Sequence, residues 1–154
     1  MTKRIIESPH FFKNIIGDFL GYSSWKKITQ KEINSFANAT QDYQWIHVDE
    51  EKAKKVSPYN QTIAHGYYSL SLIPMFVYEI WECKKLKLIL NYGSEKIRFI
   101  SPVICNKYIR AAISVVDARD YKGGILLTSK VDIEIKESEK LALSAETLSL
   151  LYSH

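Results

Sequence analysis

Cysteine is scarce in this chain. Its two residues, Cys83 and Cys105, form no Cys-x-x-Cys pair and have no histidine at matching spacing. That argues against a disulfide framework or a zinc-finger-type site and favours two reduced thiols in a cytoplasmic protein. Long apolar runs are missing too. The longest, Tyr67 to Ile80, is interrupted by Ser69, Ser71, Pro74 and Glu79, and falls short of the ~20 apolar residues a membrane span needs. After the basic start come Glu7 and Pro9 rather than the apolar core of a secretory signal. No serine sits in a strained Gly-x-Ser-x-Gly turn, so Ser69 and Ser71 are poor nucleophile candidates. No repeat occurs, and no linker rich in Gly, Pro or Ser divides the chain, which has 6 Gly and 4 Pro. The net charge of +4 comes from scattered lysines. The short clusters Lys54-Lys55 and Lys84-Lys85-Leu-Lys87 lack the interleaved aromatics of a nucleic-acid surface, leaving solvated charge or an acidic small molecule as the readings.

What is present is an ordinary globular composition: 154 residues, 46% hydrophobic and 25% charged, expected to form a single domain over residues 1–154. The first half reads as helical. Thr29-Gln-Lys-Glu32 is a capping-box pattern, and Ile33, Phe36 and Ala37 follow at helical spacing. A second short helix is expected from Asp49 as its cap, with Glu50 and Glu51 at its start, Lys54 and Lys55 near its end, and Ser57-Pro58 as its stop. From about Ala64 to Trp81 the chain is apolar nearly all round, which predicts a long buried helix bent or interrupted at Pro74. The second half reads as strands. Leu86–Leu90 and Lys96–Ile100 are expected to flank an Asn-Tyr-Gly-Ser turn, followed by Tyr108–Val116, Ile125–Ile135 and Leu141–Tyr152. Turns are expected at Gly123-Gly124 and at Glu137-Ser-Glu-Lys140. The class is α+β, with a curved, mostly antiparallel sheet around one helix.

Two segments carry candidate chemistry. In Gln41-Asp-Tyr-Gln-Trp-Ile-His-Val-Asp-Glu50, Asp42 and His47 suit a general acid/base pair. On a regular helix they would point ~140° apart, so an irregular turn must bring them together. Trp45 and Ile46 are available as anchors for that turn, and burial would raise the carboxylate pKa. On spacing alone the plainer reading is favoured, in which Asp42 caps a turn and His47 is an ordinary half-buried histidine. The second segment, Ala64-His-Gly66, stands where the buried helix begins. Backbone N–H groups there have no intrahelical acceptor, and glycine lets a ligand come close. A glycine needed only for tight helix entry, with His65 a surface residue or one packed behind those that touch a ligand, explains the same letters. A metal site from Asp42, His47, Asp49 and His65 matches no strong ligand spacing, and none is expected.

Taken together, Phe36-Ala-Asn-Ala-Thr-Gln-Asp42, His47-Val-Asp-Glu-Glu-Lys-Ala53, Ser57-Pro58 and Thr62-Ile-Ala-His-Gly66 resemble the MaoC-like dehydratases, the (R)-specific enoyl-CoA hydratase or hydratase 2 group. Gln44-Trp-Ile-His47, the run Ala64–Pro74, Asn91-Tyr-Gly93 and Arg98-Phe-x-x-Pro-Val103 are similar to the nodulation protein N branch. The likeness runs from about Trp25 to the C-terminus, which leaves residues 1–24 as an N-terminal extension packing on the domain. It implies a hot-dog fold, a homodimer or dimer-based oligomer, and a site near the subunit interface. It also implies hydration of an enoyl thioester to a 3-hydroxyacyl thioester, with Asp42 and His47 catalytic and Gly66 N–H holding the thioester oxygen. His65, Trp45 and Tyr67 are expected to touch substrate. No metal or redox cofactor is required, coenzyme A entering only as part of the substrate, and no nucleic acid or membrane partner is implied. The chain departs from the family pattern at Gln41, where glycine is usual, at Gln44-Trp45, where Asn-Pro is usual, and at Pro74, which replaces a small polar residue of some hydratases. A hot-dog thioesterase and a non-catalytic acyl-thioester binder are the competing readings. Lys84, Lys87, Lys96 and Arg98 are candidates for coenzyme A phosphates, with solvated charge as the default.

Overall fold

A computed structural model describes residues 2–154. Strands β1 (Arg4–Ile6), β2 (Phe19–Tyr22) and β3 (Lys26–Lys27) precede helices α1 (Gln30–Thr40), α2 (Trp45–Val48), α3 (Glu50–Val56), α4 (Gly66–Ser71) and α5 (Ile73–Ile80). Strands β4 (Trp81–Cys83), β5 (Leu86–Phe99), β6 (Tyr108–Tyr121), β7 (Gly124–Ile135) and β8 (Leu141–Ser153) complete the chain. The main sheet is six-stranded in the order β2-β6-β7-β8-β5, with β3 also on β6, and all its pairings are antiparallel. Tyr68, Ile73, Phe76 and Ile80 of α4 and α5 are buried in one core cluster with the inward residues of the sheet, among them Val131, Ile133 and Ile135. This is the hot-dog arrangement that the resemblance implies. Among the described residues no helix is long and apolar enough to cross a membrane.

Local chemistry explains the helices. Thr29 accepts from Glu32 N–H while the Glu32 carboxylate accepts from Thr29 N–H at 3.1 Å, so the capping box forms as expected. Asp49 caps α3 by accepting from Lys52 N–H at 2.9 Å. The expected single helix over 64–81 is instead two, because α5 begins afresh at Ile73 with Pro74 in its first turn. Proline is tolerated there, since its missing N–H would have found no intrahelical acceptor. The burial is also less complete than expected: Tyr67 and Tyr78 lie exposed.

A second correction concerns the expected turn at Asn91–Ser94. Residues Leu86–Phe99 form one continuous strand paired along its length with β8, with register shifts at Leu86/Leu88, Asn91/Gly93 and Glu95/Arg98. The turn-type residues are absorbed as bulges, which bend a long strand around the helix without ending it. The turn expected at Gly123-Gly124 falls one residue earlier, at Lys122-Gly123 (φ 47° and 76°), with Gly124 already in β7, and the chain reverses again over residues 136–140, close to the expected Glu137–Lys140.

Residues before Trp25 contribute to the same interior. Phe12, fully buried in a 3-10 helix over Pro9–Ile15, meets Trp81 edge to face with ring centroids 5.1 Å apart. β1 pairs in parallel with β4, and β2 extends the main sheet. Truncation of Phe12 to alanine is expected to cost about 3–5 kcal/mol, the range for a large buried aromatic. Chemical denaturation measures this, and a loss below ~1 kcal/mol would show that the segment is an appendage rather than core.

Candidate active site

Helix α1 ends at Thr40, and Gln41 takes a left-handed conformation, φ 63°, at its C-cap. That geometry explains why a glycine is usual at this position: a residue with a Cβ must accept strain that glycine does not. The Gln41 amide secures the turn by donating to the Asn38 carbonyl at 3.0 Å. The reversal turns the chain so that Asp42 leads into the four-residue helix α2 carrying His47. Gln44 N–H reaches Asp42 Oδ1 at 3.3 Å, so Asp42 does cap a turn, while its other oxygen lies 3.9 Å from His65 Nε2.

His47 is fixed from several sides. Its Nδ1–H donates to the Ile63 carbonyl at 2.7 Å, which leaves Nε2 as a lone-pair acceptor. The Gln30 amide donates to the His47 carbonyl at 2.7 Å, and its oxygen accepts from the Thr62 hydroxyl, tying α1, α2 and the loop before α4 together. The His47 ring is 8% exposed and lies against His65, 3% exposed, with centroids 3.8 Å apart and planes 24° from parallel. Burial lowers the His47 pKa from the ordinary 6.5; the bond to Ile63 and the Asp42 charge oppose the shift, and a charge on His65 adds to it. Asp42 is not buried: its side chain is 54% exposed, so the dry setting expected for the carboxylate is absent in the single chain.

A cavity of about 370 Å³ is lined by His47, Gly66, Tyr67, Phe99, Val103 and Leu143, among others. Gly66 is the first residue of α4, so its N–H has no intrahelical acceptor. Its missing side chain has a second consequence: a Cβ would stand 2.8 Å from the Phe99 ring, which packs edge to face on Tyr67 at 5.4 Å. The Arg98-Phe-x-x-Pro-Val103 stretch, which carried part of the resemblance, is therefore a wall of this cavity. Tyr67 lines the cavity too, whereas Asp42, Trp45 and His65 do not. Trp45 is half-buried beneath Lys52 Nζ, 4.8 Å from its ring centre. A second cavity, of about 340 Å³, runs along α4 and α5 past Leu70, Pro74, Val77, Ile89 and Leu148, and no histidine or carboxylate lines it.

Asp42, His47 and His65 bring ligand-type atoms within 4.8 Å of one another. One nitrogen of each imidazole is already bonded to a backbone carbonyl, and the rings are stacked. An ion held at ~2.0–2.1 Å would have to leave the plane of at least one ring, so these donors fit zinc poorly. Two candidates for phosphate contacts are engaged elsewhere: Lys84 pairs with Glu7 and Lys96 with Glu146. Sequence reasoning missed Phe99, Gln30 and the Ile63 carbonyl; Phe99 and Ile63 lay within motifs of the resemblance that could have flagged them.

The model of the MaoC-like domain matches residues 11–136. This chain belongs to that family. The MaoC-like match begins within the stretch set apart above as an extension and ends before β8. A curated relative, 3-hydroxyacyl-thioester dehydratase Z of Mycobacterium tuberculosis, is 40% identical over 146 residues, spanning 94% of this chain and 96% of that protein. Nodulation protein N of Rhizobium meliloti is 35% identical over 139 residues, spanning 89% and 86% respectively. The solved (R)-hydratase from A. caviae, involved in PHA biosynthesis, superposes with a TM-score of 0.70 at 20% identity, covering 87% of this chain and 94% of that one. At that identity it supports the fold alone.

His47 binds a proton less readily folded than unfolded, so it opposes folding once protonated. Stability is expected to fall as pH drops from 6.5 toward the lower folded value. His47→Gln should flatten that part of the curve. Equal pH slopes in both proteins, measured by urea denaturation, would show that the ring is not desolvated.

Proposed function

We propose that this MaoC-like protein catalyses the reversible addition of water across the α,β double bond of an enoyl thioester, giving a 3-hydroxyacyl thioester. The observation that carries the proposal is that His47, with its Nε2 lone pair free, lines a cavity together with Gly66 and has the Asp42 carboxylate of the neighbouring turn beside it, within 4.8 Å between ligand-type atoms. The name of the dehydratase relative supports the same reading. A water held between the Asp42 carboxylate and His47 Nε2 adds its oxygen to the β-carbon. The proton it loses passes to the Asp42–His47 pair and then to the α-carbon, so H and OH add and the enzyme returns to its starting state. As the double bond opens, charge moves to the thioester oxygen, where the Gly66 N–H stabilises it. No metal or redox group is needed for these steps, and coenzyme A or a carrier thiol enters with the substrate.

We place the working form as a homodimer or dimer-based oligomer. Strand β5 ends the main sheet with one edge unpaired, and Leu88, Leu90 and Phe99 on it are exposed. A second copy there would also cover the Phe99 side of the cavity. Buried free thiols at Cys83 and Cys105 suit a reducing compartment, and we assign the protein to the cytoplasm.

Replacing Asp42 by Asn or His47 by Gln should each lower hydration of a short enoyl-CoA by a factor on the order of 10²–10⁴, the usual worth of a general acid or base. Unchanged rates in both variants, or thiol release from saturated acyl-CoAs in place of hydration, would overturn the assignment. A second variant tests the cavity wall. Gly66→Ala should push Phe99 into the cavity and cut kcat/KM about tenfold. Adding Phe99→Ala should recover most of that loss; a double variant no better than Gly66→Ala would show that the ring is not the obstacle.

A further inference from the structure

His65 is only 3% exposed, yet it does not line the cavity, and the water-addition chemistry above gives it no task. Its contacts are specific. Nε2–H donates to the main-chain carbonyl of Asp42 at 3.0 Å, one face of the ring lies on His47, and Phe36 of α1 packs at 5.0 Å between centroids. Nδ1 is buried and has no hydrogen-bond partner. A proton there would be a buried donor without an acceptor, so the ring is the Nε2–H tautomer, with its one donor committed to Asp42.

These contacts join the two members of the proposed pair through a third side chain. The turn that carries Asp42 begins at a strained left-handed residue and is solvent-exposed, so it has little packing of its own. His47, in contrast, is clamped to Ile63 and Gln30. Resting on the reading of Asp42 and His47 as the acid/base pair, we propose that His65 is a positioning residue. It tethers the Asp42 main chain and braces the face of His47, and so sets the distance between them before substrate arrives. Being at the N-terminus of α4, directly before Gly66, it also references both groups to the backbone donor proposed for the thioester oxygen.

His47 is faced by few charges. Asp42 and His65 are the titratable groups on it. The Gln30 amide comes from α1 and the Ile63 carbonyl from the loop before α4, and Tyr67 is the other titratable side chain on the cavity that His47 lines. Removing the second imidazole therefore removes the one neighbour whose protonation opposes that of His47, and the acid limb of activity should move to higher pH.

The test pairs two variants that separate the contacts. His65→Phe keeps a ring to stack on His47 but loses the tether, and His65→Gln keeps a donor near the position of Nε2 but loses the ring. Both should lower kcat for enoyl-CoA hydration, His65→Phe by tenfold to hundredfold on the order expected for misplaced groups and His65→Gln by less, with KM within about twofold. In both, the acid limb of kcat/KM should shift upward. Imidazole ¹⁵N NMR of the wild-type protein gives a reading that does not depend on the variants folding: His65 should be Nε2–H and His47 Nδ1–H at neutral pH. Opposite tautomers would overturn the proposal. So would wild-type kcat and pH profile in both variants while Asp42→Asn and His47→Gln are inactive, an outcome that leaves the hydratase reading standing. Full activity in Asp42→Asn and His47→Gln would instead remove that reading and this inference with it.

Discussion

The hydrogen bond from His47 Nδ1–H to the Ile63 carbonyl is the contact on which the site depends. It joins helix α2 to the loop entering α4, two segments distant in sequence. It also selects the tautomer, because a nitrogen that donates to a carbonyl cannot be the lone-pair nitrogen. With Nδ1 committed, Nε2 is the basic atom and its direction is set by the backbone rather than by rotamer choice. Burial of the same ring disfavours the imidazolium, so the form that can accept a proton is the one the fold prefers. Ile63 N–H in turn donates to the Ile46 carbonyl at 3.1 Å, and Ala64 N–H to Val103 at 2.8 Å, so the loop holding the acceptor is itself pinned between α2 and the wall of the cavity.

This arrangement shows why the letters around Asp42 looked ambiguous. Both readings of Asp42 turn out to be physically compatible: one carboxylate oxygen caps the turn through Gln44 N–H, and the other faces His65. A residue can serve local geometry and chemistry at once, and spacing cannot separate the two uses.

Much of the fold was legible because local rules and tertiary packing agreed. The Thr29–Glu32 box, the Asp49 cap, the alternation Val131, Ile133, Ile135 and the Gly123 turn each encode an element within a few residues. The errors arose where a longer-range partner overruled a local signal. Asn91–Ser94 has turn chemistry, but a full-length partner strand in β8 keeps it extended. Pro74 marks a disturbance correctly, yet whether a proline bends a helix or begins a new one depends on where the preceding helix stops. At the candidate site, the nearness of Asp42 to His47 and the place of Gly66 at the start of α4 were legible from ordered motifs. The brace from His65 to His47 was not, because a ring stack between residues 47 and 65 has no signature in a linear pattern. The same holds for Gln30, which reads as an ordinary helix-start residue and acts as a clip between three segments.

The bulges of β5 bear on which chain can join it. An exposed strand edge is an indiscriminate template when it is straight, since any extended segment can match its repeat. Here the register shifts at three places along Leu86–Phe99 break that repeat and curve the edge. A foreign extended segment meets donors and acceptors out of phase with its own after a few residues. A chain with the same interruptions, running the opposite way, can follow the curve. In the proposed dimer, the irregularities that accommodate the helix inside would thus favour a second copy over a foreign strand outside, making self-recognition a by-product of how the sheet is bent.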